Sequence, residues 1–266
     1  MSVEVLVVGI GSGDPAHLTG EAVAALNRVD VFLVADKGAT KADLTALRTE
    51  LCRTVITHDR YRVVEVADPE RGPDAERDRA AYAAGVRDWH RARAERYAEV
   101  IRTEVGDGGT VGFLVWGDPA FYDSTIRVVG SVAETGLDLR LTVVPGISSV
   151  QLLAARHRIV LNGVGGSVHL TTGRRLVEEY DPRLGDVVVM LDGTLACAGL
   201  LERHPDLEIF WGAQLGLPDE ALVAGRLVDV LAEIRAVRLR LRAERGWVMD
   251  TYLLRRPLPE PRPPSG

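Results

Sequence analysis

Cysteine is scarce in this chain. Cys52 and Cys197 are its only two, and they share no metal-ligand spacing. That excludes a disulfide framework and a cysteine-based zinc ribbon; each reads as an isolated buried thiol. No apolar run approaches the roughly 18 residues needed to span a bilayer. No basic, apolar leader precedes the first strand pattern at Val3, so a cytoplasmic protein is expected, with no membrane partner and no metal. Positive charge is not in excess either. Lys and Arg number 32 against 38 Asp and Glu, a net charge of −6. This is the wrong sign for a nucleic-acid footprint, although a local basic pocket for an anionic ligand stays compatible with it. What is present, 266 residues at 46% hydrophobic and 26% charged, suits two modest domains or one large one, with core enough to need no covalent staples.

The order of patterns is α/β. Val3–Val8 is an apolar run bounded by glycine, as in strands buried on both faces. Leu18, Ala22, Leu26 and Val29 then recur at helical spacing behind Thr19 as N-cap, and Val31–Ala35 is a second strand. Strand, helix, strand in about thirty residues is a βαβ unit. Leu44–Leu51 reads as a helix and Val63–Val66 as a short strand. The stretch from Asp74 to Val105 is one amphipathic helix, with a break expected near Gly85; Arg91, Arg93 and Arg96 read as its solvated face. Thr110–Trp116, Arg140–Val144, Val168–Thr172, Asp186–Leu191, Glu208–Trp211 and Trp247–Leu254 are further strands. Helices are expected over Ser124–Glu134, from Ser148 or Ser149, and over Leu195–Arg203 and Leu227–Leu241. The boundary is placed just past a Gly-Asp-Pro turn, giving domains 1–120 and 121–256. The proline-rich tail 257–266 cannot join a helix or central strand.

The stretch "VLVVGIGSGDPAHLT" places glycines at 9, 11 and 13 after a strand. A dinucleotide fingerprint would carry a further glycine three residues after Gly11, where Asp14 stands, followed by Pro15. A carboxylate there repels a pyrophosphate, and proline removes an N–H that a phosphate would use. An NAD-dependent oxidoreductase is therefore disfavoured. The theme returns in "VGFLVWGDPAFYDST" and in "LTVVPGISSVQ". Ligands of open α/β sheets bind outside the carboxyl ends of the strands, so three such turns can converge on one crevice, with Ser148 and Ser149 adding hydroxyls.

These residues, in this order, resemble the tetrapyrrole methylase family, S-adenosylmethionine-dependent methyltransferases of cobalamin and sirohaem synthesis. The matching stretches are "VGIGSGDPAHLTGEAVAALNRVDV", "WGDPAFYDS", "VVPGISSVQ", "VHLTTGR", "VVVMLDG" and "VAGRLVDVL", over about Val3 to Leu231. "VADKGATKADLTALR", the arginine-rich helix and "RGWVMDTYLLRR" point within it to one member of the aerobic cobalamin route. A sister precorrin methylase, diphthine synthase and a non-catalytic tetrapyrrole-binding protein are the alternatives. The resemblance implies two α/β domains with mixed sheets, a substrate-side N-terminal one and a cofactor-side C-terminal one, with S-adenosylmethionine in a trough between them. It implies cofactor contacts at Ser12, Gly117, Asp118, Phe121, Ser148, Ser149, Asp192 and Gly212. Relatives often have Met-Gly where this chain has Asp192-Gly193. A precorrin is the implied substrate, and homodimers are common in the family.

Methyl transfer from a sulfonium is an in-line displacement with a good leaving group, so the protein must align the reactants and activate a carbon nucleophile. Asp36, at the end of the second strand, is the expected base, with Asp14 and Tyr122 as further catalytic candidates; Asp14 reads equally as a helix cap. The substrate's carboxylates call for cations, for which Lys37, Arg156, Arg158, Arg174 and Arg175 are the candidates, with His157 a weaker one.

Overall fold

A computed structural model describes residues 2–36, 42–69, 79–106 and 108–257. The chain divides into two compact units, Met1–Ser148 and Ser149–Gly266. In the first, β1 (Val3–Gly9), β2 (Val31–Asp36), β3 (Arg62–Ala67), β4 (Thr110–Val115) and β5 (Leu139–Val144) form a sheet of order β3-β2-β4-β1-β5. Every pairing in it is parallel. Its helices are α1 (Gly20–Leu26), α2 (Ala42–Val55), α3 (Arg79–Glu104) and α4 (Thr125–Ala133).

A parallel sheet needs cover on both faces, and the alternation within β1 supplies both. Val3, Val5 and Val7 join Ala94, Tyr97 and Ile101 of α3 and Val128 and Val132 of α4. Leu6 and Val8 join Ala22 and Leu26 of α1 and Leu51 and Cys52 of α2. Each such aliphatic side chain contributes at most about 1.5–3 kcal/mol on leaving water. Gly112 in β4 lets this second layer close: a Cβ there would lie 2.7 Å from Val29 Cγ2 and 2.9 Å from Phe32 Cδ1.

Three sequence expectations change here. The helix α3 runs through Gly85 without a break; one glycine costs only about 1 kcal/mol against alanine, too little to end a long helix. Arg93 is not a solvated residue. It is buried, with a two-pronged ion pair to Asp68 and its guanidinium 3.8 Å from the Trp89 ring centroid. Finally, the unit ends at Ser148 and not at residue 120, because β5 pairs with β1 over Val3–Val8 and so completes the first sheet.

In the second unit, β6 (Val168–Thr172), β7 (Asp186–Met190), β8 (Glu208–Ala213), β9 (Ala221–Arg226) and β10 (Asp250–Arg255) are ordered β6-β7-β10-β8-β9. Only β6 and β7 are parallel, so the mixing of directions belongs to this sheet. It is accompanied by α5 (Ser149–His157), α6 (Gly173–Glu179) and α7 (Leu227–Arg245). Trp211 and Tyr252 are its largest fully buried side chains, among Leu176, Leu227, Ile234 and Leu241. The segments β9 and α6 were not anticipated; the first ends in Gly-Arg and the second starts on glycine, and both signals point away from regular structure. The expected helix Leu195–Arg203 shrinks to a 3-10 turn at Ala196–Leu200, preceded by Leu195 in the left-handed region at φ 58°. Cys52 and Cys197 are both buried and free. The tail from residue 258 onward lies outside the described residues.

Candidate functional site

Three strand-end turns of the first unit meet. After β1, Gly11 forms a bridge with Gly117, which lies just past β4. The Gly117 N–H donates to the Gly11 carbonyl at 2.7 Å, and the Gly11 N–H donates to the Gly117 carbonyl at 3.2 Å. Both glycines take positive φ, 62° and 65°, where any other residue would be strained. The turn after β5 packs onto the same pair. A Cβ on Gly146 would lie 2.1 Å from the Gly117 carbonyl oxygen, and one on Gly9 would lie 2.6 Å from the Gly146 nitrogen. Asp118 ties the second turn to the third, since its Oδ2 accepts from the Gly146 N–H at 2.9 Å while Oδ1 accepts from the Ala120 N–H at 2.8 Å.

Several sequence candidates fall on these turns. The Ser12 hydroxyl shares a 2.7 Å hydrogen bond with His17 Nδ1 and accepts from the Asp14 N–H at 3.3 Å. Asp14 caps the 3-10 turn Pro15–His17, its Oδ1 accepting from the Ala16 N–H at 2.8 Å. Gly117 and Asp118 are the second turn itself. Phe121 and Tyr122 follow it, both exposed, Tyr122 at φ 51°. Ser148 is buried at 1% exposure, and Ser149 opens α5 in the second unit. Asp36 is the last residue of β2, paired in register with Ala67; its side chain, and the whole of Lys37, lie outside the described residues.

The second unit has a different turn after β7. Asp192 is only 4% exposed. Its Oδ1 accepts from the Thr194 N–H at 3.0 Å, and its Oδ2 accepts from the Ala196 N–H at 2.7 Å and from the Tyr252 hydroxyl at 2.5 Å. Its carbonyl accepts from Arg238 Nη2 at 2.7 Å. The carboxyl group packs over Gly173, where a Cβ would lie 2.4 Å from Asp192 Cγ; this accounts for the glycine of the Thr-Thr-Gly-Arg stretch. Beside it, Asp250 accepts from Trp211 Nε1 at 2.9 Å and faces Arg238 Nε at 3.0 Å. Burial pushes Asp250 up to about 6, against the opposing pull of Arg238 and Trp211. Burial likewise raises the Tyr252 phenol and lifts the Cys197 thiol to about 12. The family resemblance implies a cofactor contact at Asp192; both oxygens of its carboxylate are already hydrogen-bonded within the unit. Gly212 lies in β8, where a Cβ would lie 2.8 Å from Leu215 and 3.0 Å from Leu153.

The arginine candidates all belong to the second unit. Arg156 Nε donates to Glu220 at 2.8 Å, and Arg175 pairs with Glu179 one turn along α6. Arg158 and Arg174 are exposed. His157 is bonded at 3.0 Å to the Trp211 carbonyl through Nε2 and sits edge-on to Phe210, so it braces the sheet. What sequence reasoning missed lies in the first unit: the locking role of Gly146, and a half-buried Arg48 whose guanidinium carbon sits 5.2 Å from the Trp116 ring centroid. Gly146 was legible only as a turn residue. The position of Arg48 on α2 carried no signal.

A family model described as Tetrapyrrole (Corrin/Porphyrin) Methylases matches residues 4–231. The chain is 44% identical over 254 residues to a precorrin-6A synthase (deacetylating) of Sinorhizobium sp, covering 95% of each. It is 29% identical to a precorrin-2 C(20)-methyltransferase of Sinorhizobium sp, over 76% of this chain and 69% of that one. Among solved structures, a cobalamin synthesis related protein (CobF) from Corynebacterium diphtheriae matches at TM-score 0.80 and 35% identity, covering 96% of this chain and 99% of that one. The fold is shared at TM-score 0.57 and 20% identity with the uroporphyrin-III C-methyl transferase of Thermus thermophilus complexed with S-adenyl homocysteine, over 95% of this chain and 92% of that one.

Proposed function

Because this chain belongs to the tetrapyrrole (corrin/porphyrin) methylases, we propose that it is an S-adenosylmethionine-dependent C-methyltransferase of cobalamin biosynthesis. It methylates C-1 of precorrin-5 and releases acetate to give precorrin-6A, the activity of a precorrin-6A synthase (deacetylating). The observation that carries this reading is the locked trio of glycine turns, Gly11, Gly117 and Gly146, in a chain 44% identical to such a synthase along nearly its whole length.

The residues on these turns fit an uncharged-polar recognition of the cofactor. Asp14 and Asp118 are both occupied by backbone N–H groups, and the hydroxyls of Ser12 and Ser148 stand on the same set of turns. Ser12, Gly117, Asp118, Phe121 and Ser148 are the proposed holders of S-adenosylmethionine in this unit; Ser149, Asp192 and Gly212 are proposed from the family resemblance. Bound there, the cofactor supplies a methyl group activated by a sulfonium. The chain's task is to hold the acceptor carbon in line, an alignment that supplies up to roughly 7–11 kcal/mol in favourable cases. Asp36 is the proposed base that takes a ring proton, and Asp14 and Tyr122 are proposed to assist from the neighbouring turns. Lys37, Arg156, Arg158, Arg174 and Arg175 are proposed contacts for the substrate's carboxylates, Arg156 and Arg175 only by exchanging the glutamates they now hold.

No helix among the described residues is long and apolar enough to cross a membrane. A cytoplasmic enzyme, homodimeric and without a nucleic-acid partner, is part of the proposal. The test is turnover of precorrin-5 with the purified protein, following methyl transfer and acetate together. One acetate per methyl supports the reading. Methylation without acetate assigns the chain to a sister precorrin methylase, and tight S-adenosylhomocysteine binding without any turnover leaves a tetrapyrrole-binding protein.

A further inference from the structure

Two arginines of the first unit lie against a tryptophan, and among the described residues only one of them is ion-paired. Arg93 of α3 is 8% exposed, lies over Trp89 and is held by both oxygens of Asp68. Arg48 of α2 lies over Trp116, and its Nε is sealed from solvent with no hydrogen-bond partner among the described residues. Among the described residues its guanidinium has no carboxylate within ion-pair distance. Burial lowers its pKa; the largest opposing influence is the charge of Asp123, whose Oδ1 already accepts from the Thr125 N–H at 2.6 Å. The indole Nε1 of Trp116 is also buried without a partner among the described residues. A charge kept from water without a partner is costly, and so is an orphaned N–H. The same unit shows what completes such an arrangement, because at Arg93 it is a carboxylate.

The location gives the orphaned donors a meaning. Trp116 immediately precedes Gly117, and a Cβ on Gly13 would lie 2.6 Å from Trp116 Cζ3. The ring is therefore packed against the first glycine turn and leads directly into the second. We propose that the Arg48 guanidinium and the Trp116 indole N–H form a binding subsite for one carboxylate arm of the substrate, beside the glycine turns. This deepens the functional reading and rests on it, since a tetrapyrrole with acetate and propionate arms is what brings a carboxylate to this place. Arg48 is then a binding and positioning residue. It takes no part in methyl transfer.

The test compares the wild type with Arg48→Met, Arg48→Lys and, as an exposed control on α3, Arg91→Met. The readouts are the KM for precorrin-5, S-adenosylhomocysteine affinity by calorimetry, and thermal stability of the free protein. Binding of uroporphyrin III, a stable tetrapyrrole polycarboxylate, and of its methyl ester is measured in parallel. Loss of a charge-assisted fork predicts a roughly 10- to 100-fold weakening of precorrin-5 and uroporphyrin binding in Arg48→Met. Partial retention is expected in Arg48→Lys, with cofactor affinity and the Arg91 control unchanged. The methyl ester should bind the wild type and Arg48→Met alike. Free Arg48→Met should be at least as stable as the wild type, because an unpaired, desolvated charge has been removed; a purely structural arginine would give the opposite. Wild-type turnover with unchanged substrate binding in Arg48→Met overturns the subsite and leaves the function standing. A wild type that binds S-adenosylhomocysteine but neither methylates precorrin-5 nor binds uroporphyrin overturns the functional reading first and the subsite with it.

Discussion

The turns after β1 and β4 and the turn after β7 meet one geometric demand by opposite means. Each must reverse the chain within a few residues of a buried strand, through left-handed backbone. In the first unit glycine stands at those positions, Gly11, Gly13 and Gly117, at φ 62°, 96° and 65°. Glycine takes that conformation freely and also allows the backbone contacts among Gly9, Gly117 and Gly146. In the second unit leucine stands there, Leu191 at 52° and Leu195 at 58°. A residue with a Cβ loses roughly 1–2 kcal/mol in that region, and the Asp192 carboxylate, which accepts from the Thr194 and Ala196 N–H groups and from the Thr194 and Tyr252 hydroxyls, holds the turn in place. The difference teaches where binding function can reside. A turn built of glycine backbone keeps polar surface for a ligand, whereas a turn pinned by a buried carboxylate has already used its polar groups.

The comparison breaks most severely at Gly146. Gly146→Ala would drive a methyl group to 2.1 Å from the Gly117 carbonyl oxygen, with backbone on both sides and no side chain to yield. The expected cost is about 3 kcal/mol or more. Because the displaced atoms are the turns themselves, S-adenosylhomocysteine binding should fall by at least about tenfold, which corresponds to only 1.4 kcal/mol of distortion. Calorimetric titration together with a thermal melt checks both, and normal affinity in the variant would show that the cofactor does not depend on the locked turns.

How much of this was readable in the residues follows from the range of the interactions. The strands of the parallel sheet stood out because burial on both faces makes them continuously apolar, and the turns stood out because glycine and proline punctuate them. The pairing of Asp118 with Gly146 spans 28 residues, and nothing local marks it. The boundary at 120 failed for the same reason, since whether Leu139–Val144 belongs to the first sheet depends on its register with β1. Arg93 looked solvated from its helical neighbours alone; its burial depends on Asp68, 25 residues earlier in the chain, and on the face of Trp89. Asp192 read as a substitution within a family pattern, and its real partners, Tyr252 and Arg238, are distant in sequence.

The polar turn of the second unit can be sharpened through Asp250. Its carboxyl is raised to about 6, chiefly by burial, so between its ordinary value near 4 and about 6 the folded state binds more protons than the unfolded chain. Its contribution to stability is therefore full at low pH and declines as pH rises through about 6. Asp250→Asn removes this titration. The stability of the wild type relative to the variant should fall by up to about 3 kcal/mol from pH 4 to pH 7, at 1.36 kcal/mol per unit; denaturant unfolding at both pH values measures it. A difference independent of pH would mean that Arg238 keeps Asp250 ionised throughout.

A smaller effect is expected at Tyr252. Tyr252→Phe withdraws a 2.5 Å donor from the Asp192 carboxylate in a site with no solvent to replace it. Hydrogen bonds to charged groups are worth about 1.5–3 kcal/mol, so a loss of about 2 kcal/mol is expected by denaturant melts. S-adenosylhomocysteine affinity should change less than in Gly146→Ala. Equal losses of affinity would place the two turns on the same footing and give Asp192 a direct part in cofactor binding.

The smallest change tests the comparison from its other side, by giving the second unit the first unit's solution. Leu191 is 65% exposed at φ 52°, so its side chain gains little from burial while its backbone carries the left-handed penalty. Leu191→Gly relieves roughly 1–2 kcal/mol of that penalty and returns about 0.5–1 kcal/mol as added freedom of the unfolded chain. The net expectation is a stabilisation of up to about 1 kcal/mol, read as a rise in denaturant midpoint at unchanged slope. In the Tyr252→Phe background the gain should be larger, because relief of strain matters most once the carboxylate clamp has been weakened; the two changes are coupled through one turn and should not add. Strict additivity in that double-mutant cycle would show that Asp192 does not hold the leucines in their conformation, and the contrast between a glycine turn and a clamped turn would lose its physical basis.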